Sequence, residues 1–525
     1  MNSINSISNI ENKINYKEYL EQINKSLEEI KEEYADPLDW ILKYENWICT
    51  TFFKEKNKIL LEDIQKKEHE FINILNNLKN IEKNLKENKN IPLTIKKIYI
   101  KSIDSLIKKF LMFQHSVRIE WEKSWYGLSY NERETHSKKI FYLQKEIYWE
   151  PVSKNKEETN SILKKLHNIF EKKQEKLNDE EKKIFLKFLK ESDLKFDFKY
   201  NKKEIEKESI DEKESIDEKK IELKNIDKAK IKEISELIIS FYKNYFWEKN
   251  TTLKNWNTIE QNWIDSLNIS WMNQELRIPK NYQDVWKTKI TQTVISHEIE
   301  QHLLSWDSNN RFLWKWFTSW KYDFISEWIA KINEDISSWK ISSFEDLKNQ
   351  KENPTIWIIW VFICENYNYE DALNITTIYN KLTSKDDDEK CKKKAIDMVK
   401  RRKRFVPYNI PGSSIKDALY QRGKDRVKKY LTENDSLEIA LERYKNLNIF
   451  KLWPEEIKHI EEIKKELNIT ESKAYFTLFI GRIIHDKLNK WKWSAKKYLQ
   501  EMNLNHQKIT ISSKKELIKI LQMLK

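Results

Sequence analysis

Helix breakers are scarce in this chain, with four glycines and eight prolines in 525 residues. Glycine supplies the positive-φ positions of tight turns and proline interrupts backbone hydrogen bonding, so few points can stop a helix or reverse the chain sharply. Residues 10 to about 195 carry apolar side chains at helical spacing, as in Tyr19-Leu20, Ile23, Leu27 and Ile30. Breaks are predicted at Asp36-Pro37, Asn90-Ile91-Pro92 and Glu150-Pro151. The organisation expected is a helical N-terminal region over 1–195, a charged low-complexity linker or insertion over 196–225, a domain over 226–430 and a helical C-terminal region over 431–525. Within the linker, Lys-Glu-Ser-Ile-Asp-Glu occurs twice running, at 207–212 and 213–218. The 226–430 domain should open with a helix over Ile231–Tyr245 and hold a strand over Ile269–Ile278, bounded by Asn268 and Pro279. Thr470 and Ser494 are candidate helix caps in the last region. The fold class is mainly α with a small β-sheet (α+β).

The chemistry concentrates in His297-Glu298-Ile299-Glu300-Gln301-His302 and in Glu327, twenty-five residues after the second histidine. Two imidazoles and a carboxylate are the donor set of a tetrahedral Zn²⁺ that keeps one position for water, and Glu298 is placed as general base. In the common metallopeptidase helix the histidines stand at i and i+4. Here they stand at i and i+5, about 140° apart on a regular α-helix and too far round to share an ion. A single π-bulge between them, adding one residue to a turn, is predicted to bring both rings to one side. The metal helix should run from about Lys287 to Leu304, with Ile290, Val294 and Ile295 facing the core.

The extended spacing, followed by Ser326-Glu327-Trp328-Ile329-Ala330, resembles the bacterial QEGLA-motif (flavohaemoglobin expression-modulating) family, which is related to the microtubule-associated tyrosine carboxypeptidases. The resemblance covers roughly residues 195 to 430. It extends to Asn309-Asn310-Arg311, to Trp320-Lys321-Tyr322, and to Ile415-Lys416-Asp417-Ala418-Leu419-Tyr420-Gln421-Arg422-Gly423. It implies a zincin-like zinc carboxypeptidase that releases a C-terminal residue from a peptide or protein; the exopeptidase expectation rests on the resemblance alone. Metal ligands would be His297, His302 and Glu327, with Glu298 as base. Tyr322, Arg311 and Tyr420 are alternative electrophilic partners for the developing oxyanion. Arg404 and Lys416 are candidates to hold the substrate's terminal carboxylate. A zincin-like strand beside the metal helix would pair with the substrate backbone.

Two positions depart from the family pattern. Glu300 stands where glycine is usual, so that a carboxylate would crowd the helix or add charge near the metal, and Trp328 stands where the motif has glycine. The second departure belongs to a wider pattern, because 21 tryptophans accompany only four glycines, against average glycine usage of about 7%. Tryptophan also occupies positions where turns favour glycine: Ser305-Trp306-Asp307, Ser338-Trp339-Lys340, Lys451-Leu452-Trp453-Pro454 and Lys490-Trp491-Lys492-Trp493-Ser494. Isoleucine, lysine and asparagine dominate, as in AT-rich genomes, where the G-rich tryptophan codon should be rare. Many of these tryptophans are therefore read as UGA codons decoded as glycine in the source, and glycine at 306, 314, 316, 320 and 328 brings the segment closer to the family; the alternative is a genuinely tryptophan-rich protein with an aromatic ligand surface.

The formal charge of +13 comes from 97 basic residues mixed among 84 acidic ones. The densest basic stretch, Lys392-Lys393-Lys394 with Lys400-Arg401-Arg402-Lys403-Arg404, reads as a solvated helix face rather than a nucleic-acid surface. Cys49, Cys364 and Cys391 are odd in number and widely separated, which argues for buried thiols and against a disulfide framework. The longest apolar run, Ile356 to Cys364, is about half of what a membrane span needs, and the first residues lack signal-peptide order. A cytoplasmic protein without membrane partners is expected. Two other readings stand beside the peptidase: a zinc-binding relative made inactive by Glu300 or Trp328, and a basic helical scaffold that needs neither zinc nor Glu298.

Overall fold

Apolar residues three and four apart give the chain long amphipathic helices. A computed structural model describes residues 16–34, 58–120, 130–148, 150–199, 225–245, 255–262, 267–270, 274–280, 282, 285–305, 323–338, 340–341, 343–349, 354–403, 406, 410–450, 457, 459–467, 479–489 and 511–524. The N-terminal part is a run of helices: α1 (Tyr16–Tyr34), α2 (Lys58–Glu87), α3 (Leu93–Glu120), α4 (Tyr130–Tyr148), α5 (Lys156–Lys173) and α6 (Asp179–Phe196). Breaks fall at proline steps, with α3 starting directly after Pro92 and Pro151 preceding a single 3-10 turn, Val152–Lys154. Asn155 starts α5 by accepting the Glu158 N–H, and Asn178 starts α6 through a reciprocal capping box with Glu181. The Asp36-Pro37 step, the 207–218 tract, Cys49, Thr470 and Ser494 lie outside the described residues.

Two small sheets precede the metal helix. Strand β1 (Asn225–Ile226) leads into helix α7 (Lys228–Tyr245), followed by β2 (Asn257–Gln261), β3 (Asn268–Ser270), β4 (Glu275–Pro279) and β5 (Val285–Trp286). β1 pairs antiparallel with β5; the other sheet has the order β2-β4-β3, with β2 parallel and β3 antiparallel to β4. The single strand expected over Ile269–Ile278 is thus two strands, and Gln274 takes a left-handed φ of 54° just before the second. Both edges of β4 are occupied, so the outer strand packed beside the metal helix is β3.

The metal helix begins with one α-turn, Lys287–Lys289, and then continues as a π-helix, π1, from Ile290 to Leu303. The prediction of one bulge is too modest, because the wider winding runs for 14 residues. Helices α7, α8 (Asp323–Ser337) and α16 (Ile480–Asn489) pack around π1, and every residue from Val294 to Leu303 is buried. π-winding is rare and is mostly confined to single turns, so a run of this length is unusual. The remaining helices are α9 (Phe344–Asn349), α10 (Ile356–Asn366), α11 (Tyr369–Thr383), α12 (Asp388–Lys403), α13 (Leu419–Thr432), α14 (Leu437–Phe450), α15 (Ile460–Leu467) and α17 (Ile511–Leu524), with a 3-10 turn over Lys416–Ala418.

Two hydrophobic cores interleave along the sequence. One joins apolar residues of the N-terminal helices, such as Ile162, Phe185 and Leu189, to Ile329, Trp360, Phe362, Ile375 and Leu447. The other joins Ile234, Ile238 and Phe241 of α7 and Ile290, Val294, Ile295 and Ile299 of π1 to Ile480, Ile484, Ile520 and Leu524 near the C-terminal end. Cys364 and Cys391 are free, buried thiols. No described helix is long and apolar enough to cross a membrane.

Candidate metal centre

Five-residue spacing converges on a π-helix because its backbone bonds run from i to i+5, as in the bonding of Leu304 N–H to the Ile299 carbonyl. The rings of His297 and His302 accordingly meet edge to face, with centroids 4.8 Å apart and planes inclined at 73°. Opposite them, α8 presents Glu327, whose Oε2 lies 3.4 Å from His297 Nε2 and whose Oε1 lies 3.1 Å from His302 Nε2. Ligands about 2.0–2.1 Å from a tetrahedral ion are about 3.3 Å apart. Both separations are close to that figure, each to a different carboxylate oxygen, and one potential ligand atom from each residue lies within 4.8 Å of the others. His297, His302 and Glu327 can therefore hold a metal ion, and among the described residues no other group of three potential ligands does so. A pair of imidazoles with one carboxylate fits a borderline ion such as zinc.

Each imidazole is fixed from behind. His297 Nδ1 stands 2.6 Å from Glu334 Oε1, and His302 Nδ1 stands 2.9 Å from Ser326 Oγ. Glu334 follows Glu327 by seven residues, two turns along α8, so one helix face supplies both a ligand and the carboxylate that orients another ligand. Lys331, between them, donates to both oxygens of Glu334. Burial alone would lower the His297 pKa, but hydrogen bonds to Glu327 and Glu334 outweigh it and carry the value up to about 10. Burial likewise opposes ionisation of Glu327, yet the two histidines hold its carboxyl well below the usual range. Glu334 is also held low, with His297 and Lys331 outweighing its burial. His297, Glu327 and Glu334 thus form a set of paired charges in which a dication would take the place of a proton.

Glu298 is buried beside His297 on π1, and burial raises its pKa against the lowering influence of the two histidines. A raised carboxyl suits a group that must accept a proton and give it up again. In front of the centre opens a cleft of about 790 Å³. His297 and Glu327 line it together with Tyr420 and Trp357. Tyr420 has its pKa pushed up to about 12 by burial, with the Glu327 charge adding to the effect, so at neutral pH it remains a hydrogen-bond donor.

The other sequence candidates fare unequally. Tyr322, Arg311 and Arg404 lie outside the described residues. Lys416 sits in the turn before α13 and is not among the residues lining the cleft. The cations that do line it are Lys331, Lys340, Arg401, Lys424 and Lys428. Arg401 is bound to Asp417 through Nε at 3.2 Å and Nη2 at 2.8 Å, while Lys424 donates to Asp335. The basic stretch ending α12 is not a continuous solvated face either. Arg402 is fully buried against Asp417, and Lys403 is buried with its Nζ 3.1 Å from the Ile410 carbonyl.

Neither Trp328 nor Glu300 is among the residues that line the cleft. Trp328 is fully buried and lies flat on Gly423 of α13, where any Cβ would overlap the indole. One residue beyond Glu327 is about 100° round the helix, so the side chain points to α13 rather than to the metal. Glu300 turns away from the histidines and accepts from Tyr242 Oη at 2.5 Å, Ser296 Oγ at 3.1 Å and Ile480 N–H at 2.5 Å. The sequence reading gave no role to Glu334 or Ser326 and named Arg401 only within the basic stretch. Only Glu334 left a signal, its seven-residue offset from Glu327 on an amphipathic segment.

Compared with models of protein families, with curated proteins and with solved structures, the chain gives no match.

Proposed function

We propose that the protein is a zinc-dependent metallopeptidase of carboxypeptidase type, with a zincin-like catalytic domain. The observation that carries this reading is the meeting of His297, His302 and Glu327 within ligand reach of one another, with His297 and Glu327 lining an open cleft and Glu298 next to His297 on π1. Zinc held there would supply Lewis acidity, polarising a scissile carbonyl and acidifying water. Glu298 takes the proton of the attacking water and delivers it to the leaving amine. Tyr420, a protonated donor on the cleft wall, stabilises the negative charge that develops on the carbonyl oxygen. Glu334 and Ser326 keep the two imidazoles oriented. The cations lining the cleft, Lys340 and Lys428 among them, give a terminal carboxylate partners.

The test is zinc content and C-terminal trimming of peptides, followed by mass spectrometry, in wild-type protein and Glu298→Gln. Stoichiometric zinc with trimming that Glu298→Gln abolishes supports the reading. Zinc without trimming would leave a metal-binding module, and no zinc at all would remove the peptidase.

A further inference from the structure

Helix α16 lies in the C-terminal part of the chain, nearly 180 residues after the second histidine, yet its first turn touches both helices that carry the metal ligands. Toward π1, the Ile480 N–H donates to Glu300 Oε1 at 2.5 Å, and the Gly481 N–H approaches Glu300 Oε2 at 3.4 Å. Toward the end of α8, Arg482 is fully buried and donates through Nη1 to the carbonyls of Ile336 and Ile341, the latter at 2.9 Å. Gly481 is where the backbones meet: a Cβ there would collide with Ser296 Oγ and stand 2.7 Å from the Thr291 carbonyl. Just before the helix, Phe479 adopts a φ of 51°, and its carbonyl accepts the Ile483 N–H. A bulky residue in that region costs about 1 kcal/mol or more, so the surroundings must hold it. A carboxylate at a helix N-terminus meets free N–H groups and the positive end of the dipole, and both interactions favour this seat for Glu300.

We infer that Glu300, Gly481 and Arg482 are positioning residues: the first turn of α16 clamps π1 to α8 and so sets the geometry in which His297, His302 and Glu327 meet. Glu300 is the midpoint of the clamp. It lies two residues before His302 and ties π1 to α7 through Tyr242, to its own preceding turn through Ser296 and to α16 through two backbone amides. Ser296 extends the link by a hydrogen bond to Ser337 of α8. The glutamate that would crowd a glycine position therefore does structural work for the centre, and the C-terminal segment belongs to the site it was not expected to serve. By linkage, docking of α16 strengthens metal binding and metal binding strengthens docking of α16.

This inference rests on the metal-centre reading, and its test separates the two. Full-length wild-type, Glu300→Gln and Tyr242→Phe proteins are titrated with Co²⁺ against a chromophoric chelator, with the d–d absorption recorded and helix content followed by circular dichroism. Amide exchange is measured over 290–303, 323–337 and 480–483 with and without Co²⁺. The control is Glu365→Gln, because that carboxylate receives the Val152 and Ser153 N–H groups in the other core. Glu300→Gln should retain its helix content, lose about tenfold or more in Co²⁺ affinity and change the absorption bands. Tyr242→Phe should move the same way by less, and Glu365→Gln should not move. Co²⁺ should slow exchange at Ile480 and Gly481 in the wild type. A folded Glu300→Gln with wild-type affinity, spectrum and exchange would overturn the clamp; if that variant does not fold, unchanged values in Tyr242→Phe would do so. Wild-type protein that binds no Co²⁺ defeats the metal reading, and the clamp then stands only if Glu300→Gln still accelerates exchange over 290–303.

Discussion

Replacing Trp328 with glycine bears on both the packing of the site and the codon reading. The indole is fully buried between α8 and α13 and rests on Gly423. A tryptophan side chain buries roughly 200–250 Å², which at about 25 cal/mol per Å² corresponds to roughly 5–6 kcal/mol. Partial collapse of the cavity brings large aromatic deletions down to about 3–5 kcal/mol, and glycine inside a helix adds about 1 kcal/mol. The expected loss is therefore about 4–6 kcal/mol, read as a fall in the denaturant midpoint of the full-length protein followed by far-ultraviolet circular dichroism. Trp286→Ala, at a position 58% exposed, should change stability by less than about 1 kcal/mol and serves as the comparison. A methyl group at 423 alone should also destabilise, because it overlaps the indole, while Trp328→Gly with Gly423→Ala should recover part of the combined loss. If Trp328→Gly is as stable as the wild type or more stable, the packing argument is refuted and glycine becomes the residue around which this helix pair is built.

Removing the carboxylate behind His297 by Glu334→Gln should lower zinc affinity by about 10–100-fold with the fold intact, measured by chelator competition; unchanged affinity would deny Glu334 its orienting role. Because the metal-free His297 is held up to about 10, zinc binding near neutral pH should release protons, and calorimetry in buffers of different ionisation enthalpy should detect them. His485, buried on α16 beside Thr291, has its pKa lowered to about 4 by burial and by Arg482. A histidine held below its unfolded value near 6.5 contributes stability above that pH and loses it as pH falls towards 4. The full-length protein should lose up to roughly 3 kcal/mol across that window, and His485→Gln should flatten the loss. Peptide mass spectrometry of protein from its native source over Ser305–Lys331 should show glycine masses at 306 and 328 if UGA is decoded as glycine there; tryptophan masses would end that reading.

Local chemistry made much of this molecule legible. Pro92, Pro151, Asn155 and Asn178 mark helix ends through torsional limits and side-chain capping, and both act within a few residues. The two histidines and Glu327 were legible because ligand chemistry restricts residue type and because spacing on a helix has few geometric solutions. The extent of π1 was not, since it packs among α7, α8 and α16, elements distant in sequence. Glu300 shows the same limit. From sequence it is a charge near a metal, while its true surroundings are Tyr242, 58 positions earlier, and Ile480, 180 positions later. The Ile269–Ile278 strand failed for a local reason, because the left-handed Gln274 divides it and glutamine gives little warning of such a conformation.

Interleaved cores impose an order on synthesis. The N-terminal helices emerge first but share their core with residues beyond 325, and the core around π1 lacks Ile480, Ile484, Ile520 and Leu524 until the last part of the chain has been made. More than two hundred residues separate the second histidine from Leu524. At 5–20 residues per second, both histidines leave the ribosome roughly ten to forty seconds before the partners that enclose their helix. A chain made only as far as the second histidine therefore exposes the apolar side of π1 before its enclosing partners exist. Until those partners are made the core around π1 stays open, whereas a chain whose cores close in sequence order would bury each apolar face soon after its synthesis.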